Sequence, residues 1–416
     1  MRSKGDSGLV PEGRMGSDLS RFVALFSSLY LGFGLASPFF PIFLSSRGIA
    51  PDQIGLVLSL SGAIRLASGP LVGRLADHIH HVRGVLSTVS LLAAAFALLF
   101  STHSPFWILL FISVSYAAAL APTTGLADAL ALRSSRATPT SSGFEYGWAR
   151  GSGSAAFVLG SLLSGQLLST FAPVSALIVQ AICLVFAAGA ALAVPEIRIP
   201  REERAKTVRL ASLLRNARFV LLVLAAALIL GSHAMHDSFA IITWQAAHIT
   251  PPVASVLWSE QVIAEVVVFL YAGPRVLQVL SPLSAMALAA VTAAVRWTVL
   301  GQTSSVLALG FAEPLHGITF ALLHLACMRI LVMVTPASLA GTAQTIYAFG
   351  IGVCSVALTF CSGLLYERVG RGSFFVMAVV AAAALPAVWL LARAIASTPF
   401  PGSRTGEPGS HTPHLV

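Results

Sequence analysis

Charge is the scarcest commodity in this 416-residue chain: Asp, Glu, Lys and Arg make up 10% of it, where a soluble domain carries about a quarter. A soluble globular fold of this length is thereby excluded, because it would lack the polar surface to stay in water. Cysteine is nearly absent as well. Cys183, Cys327, Cys354 and Cys361 all fall inside apolar runs with no metal-ligand spacing among them, and they read as small buried hydrophobes rather than disulfide partners or metal ligands. No Gly-x-x-x-x-Gly-Lys-Ser/Thr phosphate loop occurs, and no polar stretch is long enough to fold around one, so neither a nucleotide-driven mechanism nor a cofactor is implied. The formal net charge of +9 does not point to nucleic acid either. The basic residues collect in alternate loops and form no stripe interleaved with exposed aromatics.

What the chain has instead is apolar sequence, 56% of residues with a mean hydropathy of +0.85. The expected fold class is all-α integral membrane, because a span of about 20 apolar residues covers a hydrocarbon layer of about 30 Å. Twelve transmembrane helices are expected in two six-helix pseudo-symmetric halves, at about 22–44, 52–76, 84–102, 105–132, 145–170, 172–194, 218–247, 252–272, 279–300, 303–333, 338–366 and 371–396. Residues 1–21 form an N-terminal tail, and the run from Phe22 is too long and too broken by Pro and Gly for a cleavable signal. Residues 22–194 and 218–396 are the two halves, and 397–416 are a disordered tail. Between the halves, 195–217 is a linker whose second part has the spacing of an amphipathic helix, with Leu210, Leu213, Leu214 and Ala217 on one side. The stretch from Pro195 to Arg218 carries seven basic residues and three acidic ones.

The loop charges orient the chain. Arg and Lys occupy the N-terminal tail, the linker and the loops holding Arg74, Arg83, Arg133, Arg136, Arg275 and Arg329, whereas the opposite loops hold only Arg47, Arg368 and Arg371. Both termini and the linker are therefore expected in the cytoplasm, in a multi-pass protein of a bacterial-type inner membrane. A repeat supports two related halves: the fifth span reads GSGSAAFVLGSLLSGQLL and the eleventh GIGVCSVALTFCSGLLYE. Both carry small residues along one face and end on Ser-Gly-hydrophobic, and such faces let helix backbones approach closely in lipid.

Polar residues inside the spans are the functional candidates, since each is costly in hydrocarbon and must face protein, water or a partner. In the first half these are Arg65 behind Ser59 and Ser61, then Asp128 and Arg150 on neighbouring spans where they could pair; Glu145 lies at the mouth. In the second half Glu265, Arg296 and His316 are each isolated in apolar sequence. Glu260 points to a different face from Glu265, and Glu313, preceding Pro314, reads as a cap for the broken part of span ten. His233, His236 and Asp237 share one face by their i, i+3, i+4 spacing, which suits a proton relay or substrate contact better than a metal; no metal is expected. Trp244, Gln245 and Trp258 offer an aromatic wall and an amide, His324 a cavity contact, and Arg329 a snorkelling end.

Several stretches resemble a known family. GRLADHIHHVRG after span two, the two six-span halves and the basic linker are similar to the major facilitator superfamily, with Gly73 and Asp77 keeping its Gly-x-x-x-Asp gating motif but not its tight basic cluster. FEYGWARGSG resembles the start of the fifth helix of the lactose-permease group. SFAIITWQAAH, VLWSEQVIAEVVVF, VRW and LHGITFALLHLACMR look like its phenylpropionate-transporter branch. The resemblance implies that Arg150 matches a substrate-binding arginine and that Glu265, Arg296 and His316, with Asp128 as a further carboxylate, form the proton-coupling set. From their positions in the spans, Arg65, His233, His236, Asp237, Trp244, Gln245 and His324 are the further candidate substrate contacts. One departure stands out: the branch has an aromatic pair where this chain has His236-Asp237, so its substrate does not simply carry over.

These readings favour a secondary active transporter, a monomeric proton symporter of a small organic solute, with an organic or aromatic acid favoured. Its partners would be that solute, protons and the bilayer, with no nucleic acid. Proton-antiport efflux of drugs or metabolites and sugar or nucleoside symport remain open. An integral membrane enzyme would need a metal or nucleophile constellation, at which only the His pair of span seven hints, and a non-transporting receptor would have no use for buried Glu265 and Arg296.

Overall fold

The computed structural model describes residues 13–135, 144–195 and 213–397. Residues 1–12 and 398–416 of the tails, Arg136 and most of the linker, including Leu210 of its expected amphipathic helix, lie outside the described residues; 13–21, expected as tail, begin the first helix. What is described is helical and contains no strand. Ten stretches are long and apolar enough to cross a membrane. One of them, Ala340–Ala396, holds two spans separated by a turn at Gly370, where φ is +51°. The helix Tyr146–Thr170 adds the fifth span; its Gly, Ser and Gln content keeps it out of a hydropathy search, although it packs like the others. Twelve spans result, and the chain is an all-helical membrane protein.

The first span of each half is broken in mid-course. Span one runs Gly13–Ala36 and resumes as Phe40–Ser46 after Ser37-Pro38-Phe39; span seven runs Ala217–Gly231 and resumes as Ala234–Ala246 after Ser232-His233. Backbone of this kind is tolerated at membrane depth only where it is buried in protein or lines a cavity, and both breaks face the space between the halves. Span eight is Pro251–Val267, a π turn at Val268–Ala272 and Gly273–Val279, so it runs several residues beyond its expected end and takes Arg275 into the helix. Span ten is Val306–Ala312, a 3₁₀ turn at Glu313–Leu315, a π turn at Gly317–Leu322 and Leu323–Val334.

The sequence repeat has a packing counterpart. Gly165 of span five meets span eight at Pro251 and Ser255, and Gly363 of span eleven meets span two at Pro51 and Gly55. A Cβ on Gly363 would lie 2.6 Å from the Pro51 carbonyl oxygen, and one on Gly165 2.7 Å from that of Pro251. These two backbone contacts seal the halves together at the end remote from the linker. Toward the linker end of the same helices, a Cβ on Gly69, Gly73, Gly151 or Gly341 would meet nothing within 4 Å. The halves part there.

The outer surface suits lipid. Phe111, Trp148, Phe186, Phe311 and Val332 are all exposed, and in hydrocarbon such side chains carry no penalty. The same geometry corrects one expectation about cysteine: all four are free and Cys183 and Cys327 are buried, but Cys354 is only half-buried and Cys361 is exposed, because small apolar residues are as stable facing lipid as facing protein.

Candidate functional site

A cavity of about 610 Å³ lies between the halves, bounded by the two broken spans. Its first-half wall carries Ser61, Arg65 and Tyr116. Its second-half wall carries His233, Asp237, Trp258, Gln261, Glu265 and His316.

Behind the second-half wall is a chain of charge centred on Arg296, which has no exposure at all. Arg296 Nη2 donates to Glu313 Oε2, equally buried, and to Gln261 Oε1 at 3.0 Å. Its Nη1 lies 3.2 Å from His316 Nδ1. A guanidinium only donates, so that ring nitrogen is an acceptor and the His316 proton sits on Nε2, which faces Glu265 Oε2 at 3.6 Å. On the other side, His236 has carboxylates against both nitrogens: Asp237 Oδ1 at 3.3 Å from Nδ1 and Glu313 Oε2 at 3.1 Å from Nε2. Arg296 Nη2 also lies 3.4 Å from His236 Nε2, so the His236 ring stands between the guanidinium and the two carboxylates, Glu313 and Asp237. Flat aromatic faces add to this, with Trp258 stacked on His236 at 5.1 Å and Trp297 beneath the Arg296 guanidinium at 4.7 Å. The chain begins and ends at the cavity, since Asp237 is 62% exposed and Glu265 28% exposed.

Glu313 is the residue sequence reasoning misplaced: it pairs with Arg296 and His236 and makes no capping hydrogen bond. Glu313 and His316 are three residues apart and so share one helix face; the 3₁₀ turn at Glu313–Leu315 and the π turn from Gly317 fall at the same point of span ten. Gln261 was overlooked, yet it stands one turn from Glu265 and that spacing was legible. Thr319 was overlooked too. Its hydroxyl lies 3.0 Å from His233 Nε2, while His233 Nδ1 donates to the Ile229 carbonyl.

The other expected residues are scattered. Asp128 and Arg150 form no ion pair: the Tyr146 hydroxyl donates to Asp128 at 2.8 Å, and Arg150 lies 4.5 Å over the Tyr30 ring with a 3.5 Å hydrogen bond to Ser154. Tyr146, at the start of span five, takes the Asp128 carboxylate instead. His324 packs edge-on against Phe269, below the cavity rather than in its wall. Trp244 is buried behind His236, and Gln245 is exposed at the end of its helix, so neither touches the cavity; the turn at Ala247-His248 carries them past it. Asp77 accepts from Arg133 Nη2 at 3.3 Å and ties the linker ends of spans two and four, one turn beyond Gly73. Glu260, facing away from Glu265 toward Gly310, is half-buried with Oε2 unpartnered. Among the described residues no three His, Cys, Asp or Glu side chains are arranged to hold a metal ion.

Two six-helix halves with broken first spans, sealed at one end around a polar cavity, define a membrane transporter rather than an enzyme. The family follows from comparison: the model described as the MFS_1 like family matches residues 20–377, and the chain belongs to that family. It is 28% identical over 384 residues to the "Probable 3-phenylpropionic acid transporter" of Escherichia coli (strain K12), covering 91% of this chain and 98% of that protein. It is 20% identical over 346 residues to the "Uncharacterized transporter YwbF" of Bacillus subtilis (strain 168), covering 82% and 84%. Among solved structures, the nucleoside transporter NupG superposes with a TM-score of 0.78 at 15% identity, covering 92% of this chain and 99% of that one. A bacterial homologue of the human lysosomal transporter Spinster, inward-facing and unoccupied, gives 0.73 at 12% identity, covering 92% and 98%. At such identities these two likenesses concern the fold alone.

Proposed function

We propose that this protein is a monomeric proton-coupled symporter that carries a small organic acid across a bacterial-type inner membrane by alternating access, with the linker and both termini in the cytoplasm. The two halves, 22–194 and 218–396, are the bodies that rock. With the linker inside, the parted end faces the cytoplasm and the conformation is inward-open. The acid as substrate class rests on the relative whose printed name is a 3-phenylpropionic acid transporter. Coupling rests on a single observation: the line of contact from Arg296 through His316 to Glu265, which ends at the cavity wall.

Glu265 is the proton carrier in this reading. Arg296 is held by Glu313 and Gln261, so it cannot be the cation that moves. The mobile cation is Arg150 on span five, the helix that packs against span eight and so against the helix of Glu265. Spans five and eight touch at Gly165 and Ser255. From that contact Arg150 lies about 22 Å and Glu265 about 15 Å down their helices, at 1.5 Å per residue. Rocking about the seal therefore changes their separation. Approach of a guanidinium favours the ionised carboxylate and withdrawal favours the protonated one, so a proton loads in one conformation and leaves in the other.

Glu265→Gln tests this in proteoliposomes. The amide imitates the protonated acid, so solute exchange persists while accumulation driven by a proton gradient is lost. Continued accumulation by the variant would move coupling elsewhere, to Asp128 or Asp237. Loss of all binding would make Glu265 a substrate ligand.

A further inference from the structure

Of the three arginines singled out from the spans, two are occupied. Arg296 is enclosed by Glu313, Gln261 and His316, and Arg150 lies on Tyr30 and Ser154. Arg65 is different. It lines the cavity and is exposed to it, yet among the described residues it has no hydrogen bond, ion pair or ring contact. Its electrostatic neighbour, Tyr116, donates its hydroxyl proton to Gln180 Oε1 at 2.6 Å. One turn earlier on the same helix face, the hydroxyl of Ser61, a residue only 6% exposed, also lacks a partner. An arginine is charged at any physiological pH, and an unpaired guanidinium at membrane depth is costly. Arg65 therefore faces the open cavity, where water or an entering anion completes it.

We propose that Arg65, with Ser61 beside it, is the anchor for the carboxylate of a singly charged organic acid whose apolar body lies against Phe40, Leu230, Trp258, Phe320 and Ile351. This deepens the transport reading above and rests on it. The charges facing the cavity set the class. A cationic solute would meet Arg65 unscreened, and the second carboxylate of a diacid would face Asp237 and Glu265 on the opposite wall. Asp237 is held by His236 and Glu265 stands beside His316, and neither forms an ion pair with Arg65. One unpaired cation therefore matches one anionic group, and a planar guanidinium takes a carboxylate through two parallel hydrogen bonds.

The test is a binding comparison on the purified full chain in nanodiscs, using 3-phenylpropionate, its amide 3-phenylpropanamide and the diacid phenylsuccinate. The wild type is expected to prefer the monoacid over the other two by at least about tenfold. Arg65→Gln should weaken the acid by about ten- to a hundredfold, the loss of a charge-assisted contact, and leave the amide unchanged. If Arg65→Gln does not give a monodisperse protein, Arg65→Lys takes its place, with a severalfold loss for the acid alone because the two-point geometry is gone. Wild-type binding that is indifferent to acid and amide overturns the proposal, as does an acid preference that survives in the variant. Failure of the transport reading shows separately: acid preference lost in Arg65→Gln, with no flux of the acid in wild-type proteoliposomes, supports the anchor and refutes the carrier.

Discussion

Removing the Glu313 charge should unlock the second half. Glu313 and Arg296 are both at 0% exposure, so neither can be rescued by water. Breaking a buried pair by deleting one partner costs about 3–5 kcal/mol, because the other charge is left without compensation. In Glu313→Gln the guanidinium keeps Gln261 Oε1 at 3.0 Å and His316 Nδ1 at 3.2 Å, which places the expected loss near the lower limit, at about 3 kcal/mol. Arg296→Met strands Glu313 with only His236 and should cost at least as much. The double variant Arg296→Met/Glu313→Leu removes both charges and both desolvation penalties, so it should lose clearly less than the sum of the singles. Stability would be followed by titration with a denaturing detergent in mixed micelles, with tryptophan fluorescence as the signal, since Trp258 and Trp297 flank the cluster. Single variants within about 0.5 kcal/mol of wild type, or a strictly additive double variant, would refute the reasoning.

Glycines on the two ends of the bundle should respond in opposite ways. Gly363→Val forces a side chain into the Pro51 and Gly55 backbone, so the sealed end should open and a spin-label pair across spans two and eleven at that end should report a longer distance; an unchanged distribution would sink the idea. Gly73→Ala meets open space in this conformation and should leave thermal stability near wild type, as a melting curve would show. For orientation, a cysteine-free background with Arg47→Cys should react with an impermeant thiol reagent added outside, whereas Arg204→Cys should react only after permeabilisation. The reverse pattern would invert the topology.

Much of this was written in the sequence. Scarce charge and long apolar runs determine a helical membrane protein, because hydrocarbon permits helices and closed barrels only. The Ser-Gly endings of spans five and eleven were legible as a repeat, and the structure shows what they are for: the two seals between the halves. Arg296, His316 and Glu265 stood out as isolated polar residues, and they do form a line of contact. The sequence could not show that the carboxylate of Arg296 is Glu313, nor that Asp128 accepts from Tyr146 while Arg150 lies on Tyr30. Which side chains meet across spans depends on how each helix is rotated about its axis, and composition carries no information on that. In span ten a 3₁₀ turn followed by a π turn changes the rotation per residue, and in span seven the break at Ser232-His233 resets it. Arg65 is the sharpest case. Its presence in an apolar helix was a matter of sequence, but that it stands unpartnered in the cavity while the other two arginines are occupied was decided only when twelve helices packed.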